Sequence, residues 1–379
     1  MYPTIYEILK NEKHRQFKTV ELIASENFAS EDVRYLCGTV FTNKYAEGYP
    51  GARYYNGCEH MDDIERLAQS LVEDLYGVKH SNVQPHSGAN ANTAVYQAFL
   101  EPGDTILGMD LASGGHLSHG ARVNQSGKIY NAVHYGVNED GWLDYDAIRD
   151  QAKNAQPRMI VAGASAYPRQ IDFEKFREIA DEVSAYLLVD MAHYSGLIAG
   201  GAYDSPVEHA DVITSTTHKT LRGPRGGMIL WNNDDYTKRI NSAIFPGTQG
   251  GPLMNIIAAK AQCYSEALDP KFHTYAKRVV ENAQAMAEVF QEHDVKMITG
   301  GTDSHIILID LSDSKISGQE AADKLEAEGI TVNKNGIPND PRNFLETSGI
   351  RIGTAAETTR GKNREWFREL AKRIAVSLG

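Results

Sequence analysis

Cysteine is scarce in this chain, with three among 379 residues. Cys37, Cys58 and Cys263 lie far apart and form no CxxC pair, which excludes a disulfide framework and makes a reducing, cytoplasmic compartment the expectation. Long apolar runs are missing too. Stretches such as Tyr186–Val189 and Ile306–Ile309 are far too short to span a bilayer, and the first ten residues hold no apolar leader core. Positive charge is outweighed: 38 Lys and Arg stand against 50 Asp and Glu, a net charge of −12, so no basic face is available for nonspecific nucleic-acid binding. Neither GxGxxG nor GxxxxGK occurs, and a dinucleotide fingerprint and a P-loop both lose ground. Repeats and low-complexity tracts are absent. With 41% hydrophobic and 23% charged residues, the composition is that of a globular protein long enough for two domains.

From about residue 100 onward, short apolar runs alternate with amphipathic segments. Strands are expected at Thr105–Met109, Ile129–Val133, Met159–Ala162, Ala185–Asp190, Val212–Thr214 and Met228–Trp231. Helices are expected at Asn90–Leu100, Tyr145–Gln151 and Phe173–Val183. Such alternation predicts an α/β fold with a mostly parallel sheet flanked by helices. A long helix from Phe272 to about His293 leads to a smaller α+β unit with strands near Ser304–Leu311, Thr331–Val332 and Ile350–Gly353, and a last helix from Lys362. The expected division is an arm over 1–30, a large domain over 31–270 and a small domain over 271–379.

Lys219 is the residue that carries most chemistry. It follows the run Asp211-Val-Ile-Thr-Ser-Thr-Thr-His218 and precedes a glycine-rich turn. A lysine just past a buried strand is costly unless paired or neutral, and a desolvated lysine is a nucleophile toward carbonyls. The earlier strand Tyr186-Leu-Leu-Val-Asp190 ends in an acid. A Schiff-base lysine with an aspartate for a pyridinium nitrogen is what pyridoxal phosphate asks of a protein; a surface lysine and a loop-capping aspartate is the plainer alternative. His86-Ser-Gly-Ala-Asn90 opens a helix, and Ser87, Gly88 and Ala89 could present N–H groups to a phosphate or merely cap the helix. Arg351, inside a short apolar strand, needs a carboxylate from a substrate or from the chain itself. Thr42–Glu59, rich in Tyr and Gly, is a loop with an unusual load of aromatic and acidic side chains. His116 and His119, with Cys58-Glu59-His60, lack the closely spaced pairs of a metal site, and no metal is expected.

Several strings together carry a resemblance: Leu22-Ile-Ala-Ser-Glu-Asn27, Asn43-Lys-Tyr-Ala-Glu-Gly-Tyr-Pro-Gly51, Gln84-Pro-His-Ser-Gly88, Val189-Asp-Met-Ala-His193, Thr216-Thr-His-Lys-Thr-Leu-Arg-Gly-Pro-Arg-Gly-Gly227, Phe245-Pro-Gly-Thr-Gln-Gly-Gly-Pro252 and Thr347-Ser-Gly-Ile-Arg351. In this order, over nearly the whole chain, they resemble the serine hydroxymethyltransferase family. The resemblance implies an aspartate-aminotransferase-like fold of type I pyridoxal phosphate enzymes. It also implies a homodimer with shared sites, with pairing into tetramers left open.

By the same resemblance, Lys219 bears the cofactor, Asp190 meets the ring nitrogen and His116 stacks on the ring. Ser165 and His193 lie near the ring hydroxyl, with Thr216 and His218 beside the lysine. Ser87, Gly88 and Ala89 hold the phosphate, joined by Tyr45, Gly250 and Gly251 of the partner subunit. Arg351, Ser25 and Tyr55 bind the substrate carboxylate. Glu47, with Tyr54 nearby, is the proton-transfer carboxylate, and Leu111, Gly115, Leu117 and Asn335 match folate contacts. The implied reaction moves the hydroxymethyl group of serine to tetrahydrofolate. Departures cluster near folate: Ser113 where the family usually has His, Gln125 where it has Phe, and Asn343-Phe-Leu-Glu346 in place of a Ser-Pro-Phe stretch. A folate-independent aldolase or transaldolase, or an α-methylserine-type hydroxymethyltransferase, is therefore the alternative.

Overall fold

In the computed structural model, which describes residues 3–379, a seven-stranded sheet forms the centre of the larger core. Its strands run in the order His80–Asn82, Gly227–Trp231, Val212–Thr216, Tyr186–Asp190, Met159–Ala162, Thr105–Met109 and Asn131–Tyr135. Val212–Thr216 and the four strands beyond it are parallel, while Gly227–Trp231 runs antiparallel to both its neighbours. Burial explains the unbroken apolar runs. Successive residues point to opposite faces, and both faces are covered. Ile106, Val161 and Leu188 pack under the Gly88–Phe99 helix with Ala91, Ala94 and Val95. Leu107, Ile160 and Leu187 pack under the Phe173–Glu182 helix with Phe176 and Ile179.

A second, three-stranded antiparallel sheet, Ile306–Asp310, Gly349–Gly353 and Asn333–Asn335, carries its own core with Met286, Phe290, Phe367 and Ile374. The Pro270–Glu292 helix serves both cores: Phe272 and Val279 face the first, Met286 and Phe290 the second. The chain start joins the second as well, since Val20–Glu21 pairs in parallel with Ile330–Thr331 and Leu22 is fully buried there. Met1 and Tyr2 of the expected arm lie outside the described residues.

Two expectations need correction, and one helix comes in addition. The strand placed at Ile129–Val133 begins at Asn131, because Asn124 caps a short Gln125–Ile129 helix by accepting from the Ser126 N–H. The Thr331–Val332 strand is two, Ile330–Thr331 and Asn333–Asn335, which pair with different partners. The Met254–Leu268 helix was not foreseen. It buries Ile257, Ala259, Cys263 and Tyr264 together with Ala258 and Ala261, so its apolar residues surround it and no amphipathic stripe shows in the sequence. Among the described residues no helix is long and apolar enough to cross a membrane.

Asp190 closes its strand, Thr216 closes the next, and Lys219 follows it by one turn of loop. Both functional side chains therefore sit at the carboxyl edge of parallel strands, where open α/β sheets bind ligands.

Candidate active site

A cavity of about 440 Å³ opens at that edge, and Lys219, Asp190 and Arg351 all line it. So do Ser87, Gly88, Ala89, His116, Ser165 and His193. Ser25, Thr216 and His218 complete the predicted residues that meet there, and Glu26, His119 and Arg225 join them unforeseen.

Lys219 is 8% exposed. Burial pushes its amine down to about 8, the charges of Arg351 and Arg225 act the same way, and Asp190 opposes them. About a tenth of the amine is then neutral at pH 7, far more than for an exposed lysine. The unfolded chain holds this proton up to about 10.5, so the lysine's contribution to stability rises with pH between about 8 and 10.5. Competitive acetylation of the protein should show Lys219 reactivity climbing with pH and levelling above about 8; a climb that continues past pH 10 would contradict this environment.

Asp190 is held from three sides. Asn92 Nδ2 donates to its Oδ2 at 2.8 Å, His119 Nε2 donates to the same oxygen at 3.0 Å, and the Ala192 N–H donates to Oδ1 at 3.1 Å. Burial alone would raise this carboxyl, but the His119 bond, electrostatic attraction from the His119 and His116 rings and the Asn92 bond together keep it well below the usual carboxylate range. Asn92 is itself fixed, since its Oδ1 accepts from Thr214 Oγ1 at 2.6 Å. The carboxylate thus stays ionised, with a lone pair of Oδ1 left for a cationic partner. Sequence reasoning missed Asn92 and His119. The signal for His119 was its place three residues past His116; Asn92, inside a helix, gave none.

His116 Nδ1 accepts from the Ser118 N–H at 3.2 Å and lies 2.7 Å from Ser118 Oγ. Burial and the neighbouring His119 push it down to about 4, so its ring is a neutral flat surface in the cavity wall.

The Gly88–Phe99 helix aims its N-terminus at the cavity. Ser87 caps it by accepting from the Asn90 N–H at 3.1 Å, which leaves the Gly88 and Ala89 N–H groups of the first turn for an anion. A Cβ on Gly88 would stand 2.8 Å from Thr216 Cγ2, so only glycine lets this turn approach the lysine strand.

Arg351 is 9% exposed and pairs with no carboxylate among the described residues. Its Nη1 donates to the Ser165 carbonyl at 2.6 Å and its Nε to Asn333 Oδ1 at 3.1 Å. Burial pushes even this guanidinium down to about 10. The internal ion pair allowed by the sequence is not there.

The remaining predicted residues stand elsewhere. Tyr45, Glu47, Tyr54, Tyr55, Gly250 and Gly251 are not in the cavity wall. Most of them cluster: Tyr55 Oη donates to Glu47 Oε2 at 3.3 Å, Tyr45 and Tyr55 rings meet edge-on, and a Cβ on Gly251 would lie 3.0 Å from Tyr45. Tyr54 instead meets Phe245 edge-on. A buried network holds this segment, with Arg53 bonded to Asp62 and Glu65 and to the Ala46 and Gly48 carbonyls. Leu111 and Leu117 are exposed, Gly115 packs where a Cβ would strike the Met109 carbonyl at 2.1 Å, and Asn335 Nδ2 donates to the Gly336 carbonyl at 2.7 Å; none lines the cavity.

A desolvated lysine, a held aspartate, an anion-binding helix start and an unpaired guanidinium at the edge of this sheet define an α/β enzyme of fold-type I, the pyridoxal phosphate class. The family model described as serine hydroxymethyltransferase matches residues 1–374. A serine hydroxymethyltransferase of Wolbachia sp. subsp. Drosophila simulans (strain wRi) is 57% identical over 98% of this chain and 87% of its own length. Those of Wolbachia pipientis wMel and of Wolbachia pipientis subsp. Culex pipiens (strain wPip) are each 56% identical, over 97% and 98% of this chain and 87% of their own lengths. The chain belongs to the serine hydroxymethyltransferase family.

Proposed function

We propose that this chain transfers the hydroxymethyl group of L-serine to tetrahydrofolate, reversibly, giving glycine and 5,10-methylenetetrahydrofolate, in the Lys219 cavity. The observation that carries the reading is the company Lys219 keeps: an ionised Asp190 and an unpaired Arg351 in one buried space.

The residues fit pyridoxal phosphate. An amine lowered to about 8 suits its aldehyde, the Gly88 and Ala89 N–H groups suit its phosphate, and Asp190 suits a protonated ring nitrogen. When bound, the cofactor supplies the electron sink for the pair left at Cα as the Cα–Cβ bond breaks. The chain does the rest. Arg351, with Ser25, takes the serine carboxylate and sets which Cα bond is presented for cleavage. Asp190 keeps the nitrogen proton in place, His116 covers one ring face, and Ser165, Thr216, His193 and His218 border the lysine. Glu47 moves the proton of the serine hydroxyl, with Tyr54 and Tyr55 beside it. Leu111, Gly115, Leu117 and Asn335 would meet the pterin, and Leu111 and Leu117 have apolar surface free for that contact.

A homodimer with shared sites accounts for the second cluster. Glu47 and Tyr55 do not line the cavity of the chain's own lysine, and Tyr45, Tyr54 and Tyr55 are 57%, 73% and 45% exposed. No residue of the Ile5–Lys18 helix is buried in its own chain, and Ile5 and Tyr6 are 81% and 83% exposed. A two-fold axis would bury these patches and bring Tyr45, Glu47, Tyr55, Gly250 and Gly251 to the partner's Lys219. The division into arm, large and small domain belongs to the same reading, with the boundary inside the Pro270–Glu292 helix. Three free cysteines accord with a cytoplasmic protein.

Mixing two inactive variants tests reaction and architecture together. Lys219→Ala and Glu47→Gln chains, denatured and refolded together in equal amounts, should regain about a quarter of wild-type glycine formation. Half of the dimers are then mixed, and each mixed dimer has one intact site. No recovery would sink the shared site. Wild-type protein that releases glycine and aldehyde equally well without tetrahydrofolate would sink the transferase and favour the aldolase.

A further inference from the structure

His305 is fully buried, stands just before the Ile306–Asp310 strand and belongs to no role assigned above. Its Nε2 lies 3.3 Å from Nδ1 of His193. The two rings are inclined by only 18° with centroids 5.5 Å apart. Nearly parallel rings with facing nitrogens at that distance share one proton in an N–H···N bond. Neither ring can take a second proton. Burial comes first, and Lys219 and Arg351 add repulsion for both, so His193 is pushed well below the ordinary histidine value and His305 down to about 3. His116 adds to this at His193, and the Tyr194 and His305 rings meet edge-on.

Two neutral rings leave two arrangements, and the far nitrogen of His305 separates them. That Nδ1 is buried with no hydrogen-bond partner among the described residues, and the backbone of Ala24 favours a proton on this ring. A proton on His305 Nδ1 leaves Nε2 as an acceptor. The shared proton then belongs to His193 Nδ1. Among the described residues His193 Nε2 has no hydrogen-bond partner, and His193 lines the cavity.

We propose that His305 is a positioning residue: it fixes the His193 proton on Nδ1 and so presents Nε2 to the Lys219 cavity as a bare acceptor. The geometry stands on the chain alone; the consequence for catalysis rests on the proposed function. With a bare Nε2, His193 accepts a hydrogen bond from a hydroxyl in the cavity and cannot donate one. A residue from the second core thereby sets the protonation pattern of a residue at the edge of the first sheet. The nearest precedent is a metal-bound histidine whose other nitrogen is held by an orienting partner.

Nitrogen NMR of cofactor-free protein carrying 15N-histidine reads this directly, with the His193 signals assigned from a His193→Asn variant. Wild-type protein should show Nδ1 protonated and Nε2 bare. His305→Gln, whose amide oxygen can accept from Nδ1, should keep the pattern, and His305→Phe should move the proton to Nε2. A wild-type His193 proton on Nε2, or a His305→Phe protein that keeps it on Nδ1, overturns the proposal. If the Phe variant does not fold, the wild-type and Gln spectra decide. In the loaded enzyme, His305→Phe should lose about 10–100-fold in kcat and His305→Gln only a few-fold. Protein with the expected spectra but no transferase activity would leave the proton assignment intact and remove only the functional reading.

Discussion

Lys219→Ala protein is expected to yield no borohydride-trapped pyridoxal phosphate on the peptide spanning residue 219, and to lose serine cleavage by several orders of magnitude. Loss of a cavity amine that condenses with the cofactor removes the anchor and a proton-transfer group together. The chain offers no substitute. Lys260 is also fully buried, and burial pushes it down to about 7, yet it donates to the Val83, Pro85 and Gly227 carbonyls at 2.6, 3.1 and 2.7 Å and does not line the cavity. It braces the strand that leads into the phosphate turn. Lys219→Arg should fail like the Ala variant, because a guanidinium keeps the charge but does not condense with an aldehyde. Peptide mass spectrometry after borohydride treatment checks both. A trapped adduct on Lys260, or an unmodified Lys219 in wild-type protein saturated with the aldehyde, would remove the chemical basis of the site.

Arg351→Leu should weaken serine binding by about 2–5 kcal/mol, or roughly 30-fold to several-thousand-fold in Kd, the cost of stripping one partner from a buried charge pair. The same change should leave the melting temperature of the ligand-free protein unchanged or higher. Arg351 is 9% exposed, pairs with no carboxylate among the described residues and makes two hydrogen bonds, to the Ser165 carbonyl and to Asn333, so removing it relieves an uncompensated buried charge. A structural arginine behaves the other way, losing stability and sparing affinity. Calorimetric titration with serine and thermal unfolding of the ligand-free variant separate the two. A large drop in melting temperature with serine affinity retained would show that Arg351 is a brace.

Much of this was legible along the chain. The apolar runs of the central strands announced a doubly covered parallel sheet because nearly every residue in them is buried. Lys219 and Asp190 stood out because each follows such a run. Local rules failed where burial was complete on all sides, as in the Met254–Leu268 helix, and where a cap or pairing partner shifted an end, as at Asn124.

Residue type and spacing determined the family, the fold class and the identities of the lysine, aspartate and arginine, because desolvated charge is rare enough in a strand-rich sequence to be conspicuous. Only tertiary packing decided who holds these groups. Asn92 and His119 reach Asp190 across 98 and 71 residues, and His305 reaches His193 across 112. It also decided that Arg351 pairs with no carboxylate among the described residues and that Glu47 does not line the Lys219 cavity. Hydrogen bonds and ion pairs are won by distance in space, and separation along the chain carries no record of that distance.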